Sequence, residues 1–477
     1  MAERLLNGWG RASPTLARVV APDDPSSIER ALVAPPKAGV IARGMGRSYG
    51  DAAQRAGGTV VDTSSLSRVV EVDHDAAEAE IQAGASLDQV MRALLPRGLF
   101  VPVTPGTRFV SVGGAIAADI HGKNHHCDGS FANHVTSMTL VTPTGTRTVT
   151  PNGESGATAL FWATMGGMGL TGIVTSARFR FIRVETSQMR VEVQRVADFD
   201  SLLSEMERVD KRFRYSVAWI DGMSRGRTLG RGVITAGEHA TLGELEGSVA
   251  NGESPLTFNP RSGPSVPRGV PAGVLNRGTV RAFNEVWWRR APKLPSERLM
   301  SLGSFFHPLD SLRNWNRLYG PGGFVQYQLL LPFGREDRLR SILERASSSG
   351  APSFLGVLKR FGPGNPGPLS FPSPGWTLTL DFPIGPAVLA PMLDELDQVV
   401  VESGGRVYFA KDGRLRPHQV PLMYPRLEEW RSVCETVDPR GVLCSDLCNR
   451  LRLSHSHVTR PGVQDKIYPL STYRESG

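Results

Sequence analysis

The chain has 477 residues, a formal net charge of +8 and 40% hydrophobic residues. This length exceeds one ordinary hydrophobic core, so we expect two or three domains. No apolar run is long enough to span a bilayer, and the first residues lack the apolar stretch of a signal peptide. The basic residues form no basic helix, which disfavours nucleic acid and suits a phosphorylated substrate or an anionic membrane surface. Four cysteines fit a reducing compartment without a disulfide framework.

Short strands and helices alternate in the first part of the chain. Ser86 and Gln89 form a capping-box pattern before apolar residues at helical spacing, and Pro96 and Gly98 predict the end of that helix. The other elements predicted here are a helix at 27–33, strands at 40–42, 60–61 and 69–72, a hairpin from 138 to 149 and a strand at 173–181.

The pattern changes after about Val184. A Pro, Gly and Arg-rich stretch at 259–278 predicts a mobile surface loop. From Phe324 a β-α-β-β-α-β series predicts a sheet against two helices, and the tail from Ser454 is expected to be disordered. The elements predicted in this part are strands at 189–193, 216–220, 324–331, 353–360, 376–383 and 406–410, helices at 199–209, 335–347 and 388–402, and helical pieces from 427 to 453.

Glycine-rich segments are the strongest candidates for a cofactor site. Residues 105–107, 111–117 and 121–126 combine glycines with small and polar residues, which lets a backbone pass close to a flat or anionic group. Gly44 to Asp51 forms either a nest of N–H groups for a pyrophosphate or an ordinary turn, and the stretch alone leaves this open. Residues 167–172 match G-x-G-x-x-G but open a strand, which excludes the nicotinamide-binding interpretation.

Several polar residues are candidates for chemistry. His121, His125 and His126 are too crowded for a standard zinc pattern, so hydrogen bonding to a cofactor or substrate is favoured over a metal. Lys411 follows a predicted strand and is either a surface ion-pair residue or a cation near a reactive ring. Gln326 and Gln328 share one strand face, which suits either sugar hydroxyls or an exposed polar surface.

Strings spread over nearly the whole chain point to one family. They are Gly44 to Asp51 and residues 8–11, 105–107, 112–116, 121–126, 161–164, 307–310, 326–328, 369–376 and 410–412. These strings resemble the vanillyl-alcohol-oxidase type of FAD-dependent oxidoreductases. Within that family they are similar to the branch that oxidises decaprenylphosphoryl-β-D-ribose.

The resemblance implies an α+β, two-domain, PCMH-type FAD-binding fold with an inserted substrate domain on an antiparallel sheet. The FAD domain would comprise 1–184, completed by 406–477, and the substrate domain 185–405. The implied cofactor-binding residues are Gly44, Met45, Gly46, Arg47, Ser48, Tyr49, Gly50, Asp51, Gly106, Thr107, Val112, Gly113, Gly114, His121, Gly122, Lys123, Asn124, Ile173 and Tyr408.

The resemblance also implies site chemistry. Lys411 would act at the substrate hydroxyl and the flavin with His121 assisting, although the reverse division stays open. Tyr49 stands where many relatives attach FAD to histidine, so FAD is expected to be non-covalent. The implied substrate-binding residues are Trp219, Phe306, Gln326, Gln328, Lys359, Thr377 and Thr379. Phe306, Thr377 and Thr379 depart from the tyrosine, asparagine and cysteine of well-known members, so the exact sugar or lipid is left open.

The expected reaction is oxidation of the 2'-hydroxyl of decaprenylphosphoryl-β-D-ribose, or of a close polyprenylphosphoryl sugar, to a ketone. This would be the first half of an epimerisation that makes the arabinose donor for cell-wall arabinan. The implied partners are an NADH-dependent short-chain reductase subunit and a quinone acceptor, at a cytoplasmic or peripheral membrane location, with a periplasmic one left open. The rival interpretations are an alditol or aldonolactone oxidase using dioxygen, and a binding protein without catalysis.

Overall fold

The structure is a computed structural model that describes residues 2–245, 254–260 and 262–454. The first elements are β1 (Ala2–Leu6), β2 (Thr15–Val20), α1 (Pro25–Val33), β3 (Val40–Arg43), β4 (Thr59–Asp62), β5 (Val69–Asp73), β6 (Glu78–Gln82), α2 (Leu87–Leu94), β7 (Leu99–Phe100), α3 (Val112–Ala117), α4 (His125–Asp128), β8 (Val135–Thr142), β9 (Gly145–Val149), α5 (Ser155–Thr164), β10 (Ile173–Arg180) and β11 (Ile182–Arg183).

The chain continues with β12 (Gln188–Val196), α6 (Phe199–Asp210), β13 (Tyr215–Ile220), β14 (Gly232–His239), α7 (Arg277–Arg290), β15 (Ser296–Ser301), α8 (Leu302–Phe306), β16 (Phe324–Leu331), α9 (Glu336–Ser348), β17 (Gly356–Phe361), β18 (Gly375–Pro383) and α10 (Leu389–Glu402). The last described elements are β19 (Arg406–Val407), α11 (Val420–Met423), α12 (Leu427–Val437) and α13 (Asp446–Leu451).

Two larger sheets and the two-stranded sheet of β7 and β11 form the N-terminal part of the molecule. One has the order β1-β2-β4-β3, with β4 parallel to both of its neighbours, and the other has the order β5-β6-β10-β8-β9 and is antiparallel. The capping box predicted at Ser86 and Gln89 is present at the start of α2. Helix α3 contacts β6 and β10 and brings the glycines of the 111–117 segment against the second sheet.

An eight-stranded antiparallel sheet dominates the second part, in the order β15-β12-β14-β13-β17-β18-β16-β19. Strand β18 is buried along nearly its whole length between β17 and β16. The β16–β18 register places Gln326 opposite Asp381 and Gln328 opposite Thr379. Helix α10 packs against α9 and β16 through a buried apolar face.

The predicted α+β class is confirmed, and the β-α-β-β-α-β series from Phe324 is present within a few residues of its predicted bounds. Two expectations need correction: the strand predicted at 406–410 ends at Val407, since residues 408–411 form a turn, and the strand predicted from 353 begins at Gly356. The loop predicted at 259–278 lies in described residues except 261, and α7 begins inside it at Arg277. The disorder predicted from Ser454 falls on residues 455–477, which lie outside the described part of the chain.

Candidate active site

A cavity of about 1360 Å³ is lined by residues of both the N-terminal sheets and the eight-stranded sheet. Residues 44–49 and 104–108 contribute one side of it, and β13, β16, β17 and β18 contribute side chains from the other. The two sides are tied together at residues 307–310. There Asp310 accepts hydrogen bonds from the Arg108 amide at 2.9 Å and from Thr107 Oγ1 at 2.7 Å. The glycine-rich segments therefore face the strands that carry Gln326, Gln328 and Lys359.

The loop at 44–49 has the shape expected of a dinucleotide cradle. A Cβ atom on Gly44 would overlap the side chain of Ser111, and Gly46 adopts a φ of +60°, so both positions favour glycine. Ser111 accepts a hydrogen bond from the Gly114 amide at 3.2 Å and caps α3. Backbone from two glycine-rich segments thus comes together at one wall of the cavity.

Charge along this wall suits an anionic ligand. The Arg47 guanidinium lies 4.0 Å from the centre of the Trp9 ring, and its Nε atom is buried without a hydrogen-bond partner among the described residues. Burial lowers the pKa of Arg47 and also lowers the pKa of Lys123 to about 8. A Cβ on Gly106 would meet only open space. These features fit a dinucleotide with a pyrophosphate, because the wall offers glycine backbone, open volume and an arginine with an unused donor.

His121 is held at the centre of the opposite wall by two hydrogen-bonding side chains. Its Nε2 atom lies 3.0 Å from Gln328 Nε2, and its Nδ1 atom lies 3.1 Å from Lys359 Nζ. The ring also contacts Phe361 at 4.7 Å between centroids. Burial lowers the pKa of His121 well below its ordinary value, so the imidazole is neutral.

The hydrogen bonds around Gln328 determine where the imidazole carries its proton. The Thr377 hydroxyl donates to the Leu329 carbonyl at 2.9 Å, so its oxygen accepts from Gln328 Nε2 at 3.1 Å. The second N–H of the same amide then donates to His121 Nε2, which assigns the imidazole proton to Nδ1. That N–H faces Lys359, whose pKa burial lowers to about 7. Lys359 therefore accepts as a free amine, and both nitrogens of His121 are engaged.

Lys411 occupies a different environment, in the turn that follows β19. Its Nζ atom lies 3.8 Å from the centre of the Tyr49 ring, and no described residue accepts a hydrogen bond from it. Burial lowers the pKa of Lys411 to about 7, while the charge of Asp381 acts in the opposite direction. Burial also raises the pKa of Asp381 to about 7, although Gln326 at 2.6 Å and Tyr319 at 3.0 Å donate to its carboxylate.

Most of the predicted site residues line this one cavity. Among the predicted catalytic and substrate residues, His121, Lys411, Trp219, Phe306, Gln326, Gln328, Lys359 and Thr379 line it. Among the predicted cofactor residues, Gly44, Met45, Gly46, Arg47, Ser48, Tyr49, Gly106, Thr107, Gly113, Gly114, His121, Gly122, Lys123 and Tyr408 do so.

The remaining predicted residues support the cavity from behind. Asp51 binds Arg450 through both carboxylate oxygens, at 2.7 and 2.9 Å, and Gly50 packs on the backbone of Asp412. Asn124 Nδ2 donates to the Pro102 carbonyl at 2.9 Å. The predicted residues buried in the packing behind the wall are Val112, Ile173 and Thr377.

Comparison with known proteins agrees with this geometry. Residues 16–150 match a family described as FAD binding domain. The chain is 44% identical over 453 residues to decaprenylphosphoryl-beta-D-ribose oxidase of Mycolicibacterium smegmatis, covering 94% of this chain and 97% of that protein.

The chain belongs to the decaprenylphosphoryl-β-D-ribose oxidase family. It is also 38% identical over 376 residues to an uncharacterised protein of Streptomyces coelicolor, covering 77% of this chain and 100% of that protein. Cytokinin dehydrogenase 4 of Arabidopsis thaliana is 30% identical over 181 residues, which cover 36% of this chain and 33% of the plant protein. The resemblance to FAD-dependent oxidoreductases is thereby confirmed.

Sequence reasoning missed some residues of the site in this member of the decaprenylphosphoryl-β-D-ribose oxidase family. Asp381 and Tyr319 form a buried hydrogen-bonded pair that interacts with Lys411. The detectable signal was an acid within the apolar strand at 376–383, because a buried carboxylate needs donors or a cation nearby. His307 carries no sequence signal beyond its place in the string at 307–310, yet its Nε2 lies 2.8 Å from Thr104 Oγ1 at the junction of the two cavity walls.

Proposed function

We propose that this protein oxidises the 2'-hydroxyl of a polyprenylphosphoryl-β-D-ribose, decaprenylphosphoryl-β-D-ribose in the first instance, to the 2'-ketone. The observation that carries the proposal is the set of amines at the cavity, where Lys411 and Lys359 have pKa values of about 7 and flank a neutral His121. Oxidising a sugar alcohol requires a group that takes the hydroxyl proton at neutral pH. The named relative, decaprenylphosphoryl-beta-D-ribose oxidase, points to the substrate class.

Lys411 is the base that we assign to this reaction. Both nitrogens of His121 are engaged, and the lone pair of Lys359 accepts from His121 Nδ1, so neither group is free to take a further proton. Lys411 Nζ has no hydrogen-bond acceptor among the described residues and can exist as a free amine near neutral pH. FAD, when bound, supplies the hydride acceptor. His121 acts as a positioning residue that fixes Lys359 and Gln328.

The other polar residues hold the substrate. Gln326 and Gln328 lie on one face of β16, and the Lys359 amine faces the same volume. Both N–H groups of Gln328 are already engaged, so Gln328 holds a ribose hydroxyl through its carbonyl oxygen. Trp219 and Phe306 provide apolar walls, and Thr379 lies beside them on β18. Residues 44–51, 106–107, 113–114 and 121–123 would hold the dinucleotide, with Arg47 on the pyrophosphate.

The proposal includes the domain division at 184 and 405. The FAD domain then comprises 1–184 and 406–477, a division supported by the ion pair between Arg450 and Asp51, 399 positions apart. FAD is non-covalent, since Tyr49 carries no nucleophilic imidazole at the position where many relatives attach the flavin. Acid precipitation should release all yellow colour into the supernatant, and colour on the precipitated chain would contradict this assignment.

The partners that the resemblance implies are also part of the proposal. An NADH-dependent short-chain reductase would reduce the ketone from the other face, and a quinone would reoxidise the cofactor. No helix among the described residues is long and apolar enough to cross a bilayer. A cytoplasmic or peripheral membrane location is proposed. Cell fractionation tests it, because tagged protein should be recovered from the cytosolic fraction or the membrane fraction.

Anaerobic mixing with decaprenylphosphoryl ribose tests the activity directly. Bleaching of the flavin absorbance, with formation of one equivalent of keto sugar, is the expected result. An alditol or aldonolactone that bleaches the flavin where the ribose lipid does not would overturn the proposal in favour of a dioxygen-using oxidase. A stable flavin spectrum with all of these substrates would indicate a binding protein.

A further inference from the structure

Helix α7 presents an apolar face to solvent. Phe283, Val286 and Trp287 are 44%, 50% and 48% exposed, and Leu294, just beyond the helix, is 77% exposed. Spacings of three and four residues put Phe283, Val286, Trp287 and Arg290 on one side of the helix. We call these four residues and Leu294 the α7 face. Scattered exposed apolar residues are ordinary, but a contiguous group of this kind indicates a surface that is covered in use.

The helix itself is firmly attached on its other side. Val280 and Asn284 are fully buried, and Asn284 Nδ2 donates to Asp221 at 2.6 Å. The indole Nε1 of Trp288 donates to the Val196 carbonyl at 2.9 Å. The α7 face is therefore exposed although the helix is fixed to the rest of the protein, because the inward side of α7 already has its own partners.

Positive charge surrounds the α7 face. Residues 277–298 contain six basic and two acidic side chains. One of the acids, Glu285, is bound by Arg231 at 2.7 Å and by Arg289. Within the described part of the chain, Arg281, Arg290 and Lys293 form no ion pair. Aromatic and aliphatic side chains flanked by unpaired arginine and lysine are typical of helices that lie in the interface of an anionic membrane.

The α7 face also borders the opening of the candidate active site. Phe283, Trp287 and Arg290 line the cavity as well as the surface, and the Phe283 ring lies 5.1 Å from Phe354, which lines it too. The wall beyond them is apolar, with side chains from β12, β13, β14 and β15, namely Val193, Val217, Val233 and Met300. An apolar path therefore leads from this face toward Lys359 and Lys411.

We propose that the α7 face docks on an anionic phospholipid surface and admits the polyprenyl chain of the substrate directly from the bilayer. The identity of the lipid substrate rests on the proposed function, whereas the membrane docking rests on the exposed apolar residues and the basic residues around them. Phe283, Val286, Trp287 and Leu294 enter the interface between headgroups and acyl chains, and the basic side chains bind lipid phosphates. The sugar phosphate of a lipid held in that leaflet then reaches the cavity without its chain crossing water.

Vesicle co-sedimentation of the FAD-loaded protein tests the docking. Binding is expected with vesicles of equal phosphatidylglycerol and phosphatidylcholine, with at least ~10-fold weaker binding to phosphatidylcholine alone and a loss in high salt. Trp287→Ala should weaken binding at least ~10-fold, since it removes one large apolar side chain from the interface. Leu422→Ser, which changes an exposed apolar residue elsewhere, is the matched control and should bind normally. Retained flavin colour and an unchanged melting temperature show that each variant is folded.

Four results would overturn the proposal. Wild-type protein could fail to sediment with anionic vesicles at low salt, or Trp287→Ala could sediment as well as the control. A wild-type dimer that Val286→Ser with Leu294→Ser converts to monomer would assign the face to a second copy of the chain. Retention on a partner protein through this face, without vesicle binding, would assign it to a protein partner.

A kinetic comparison separates this inference from the proposed reaction. Val286→Ser with Leu294→Ser changes two residues of the α7 face that do not line the cavity. Flavin reduction by a short-chain, water-soluble prenylphosphoryl ribose should be unchanged in this variant, and reduction by the decaprenyl substrate in anionic vesicles should slow at least ~10-fold. Equal slowing with both substrates would overturn delivery from the bilayer. If neither substrate reduces wild-type protein, the proposed reaction fails, while the vesicle-binding result still decides the docking.

Discussion

The ammonium nitrogen of Lys411 lies 3.8 Å from the centre of the Tyr49 ring, directly beside the glycine-rich loop at 44–49. An aromatic face stabilises the ammonium form of lysine at this distance. The same face offers no N–H or O–H group, so it leaves the lone pair of the amine form of Lys411 available. The contact joins a residue that follows the eight-stranded sheet to one in the proposed cofactor loop. It therefore holds the proposed base at the junction of the two regions.

Lys411→Ala should lower the rate of flavin reduction at least ~100-fold, the low end for positioned proton transfer. The backbone of the turn stays intact, so FAD should remain bound. Stopped-flow reduction of the FAD-loaded variant measures the effect, with Lys37→Ala as an exposed-lysine control. A near wild-type rate in Lys411→Ala would reduce Lys411 to a structural residue.

The rate of flavin reduction should depend on pH through the Lys411–Asp381 pair. A base must be unprotonated, and the pKa of Lys411 is about 7, so the rate should fall about tenfold per pH unit below that value. Because the two groups interact, they titrate as a pair. The fall in rate at acidic pH is the acid limb of the pH–rate profile. Asp381→Asn removes a charge that raises the pKa of Lys411, so the acid limb should move to lower pH.

Lys359→Met is the matched test of this assignment, because burial also lowers the pKa of Lys359 to about 7. The acid limb should persist in that variant if Lys411 is the base. If the acid limb disappears in Lys359→Met and keeps its position in Asp381→Asn, Lys359 is the base and Lys411 is not.

Elements with one buried face were predictable from the sequence. Strand β12 and helix α9 show the period-two and helical patterns of half-buried elements, and Ser86 caps the start of α2. Helix α7 was missed because its N-cap, Asn276, lies in a Pro and Gly-rich loop and several of its apolar residues point outward. Apolar periodicity identifies a helix only where the apolar side is the buried one.

The site was predictable where a residue type carries its own chemistry, and less so where contacts decide its state. His121 and Lys411 are recognisable from their motifs, and both line the cavity. The engagement of both His121 nitrogens depends on Gln328 and Lys359, which are 207 and 238 positions away in sequence. No local pattern encodes such a network, because it arises from the register of β16, β17 and β18.

Thr379 should make this protein resistant to nitro-aromatic inhibitors that trap the cysteine of well-known relatives. Thr379 lines the cavity and has no thiolate, so intact-mass spectrometry after turnover should show no adduct. Thr379→Cys should gain one adduct at this position. Since Cys127 is an exposed thiol, both proteins should carry Cys127→Ser to remove its background. An adduct on the threonine protein would contradict the prediction.

Arg450 should be a large single contributor to stability, because it neutralises two buried carboxylates. It contacts Asp51 at 2.7 and 2.9 Å and Asp412 at 2.8 Å, and thereby fixes the loop at 44–51 to α13. Burial acts to raise the pKa of Asp412, yet Arg450 and two backbone amides hold that pKa below its ordinary value. Arg450→Met leaves both acids unpaired and should cost about 3–5 kcal/mol of the free energy of unfolding.

The pH dependence of that loss provides a second check. A carboxylate with a lowered folded pKa stabilises the protein above its unfolded pKa of about 4, and this stabilisation disappears as pH falls through the folded value. Urea unfolding measures the difference in the free energy of unfolding between wild type and Arg450→Met. This difference should therefore have its full value at pH 7 and become smaller below about pH 4. Arg345→Met, which removes an exposed pair with Glu395, should cost under ~1 kcal/mol at either pH. A loss as small for Arg450→Met as for this control would show that the cluster does not anchor the loop.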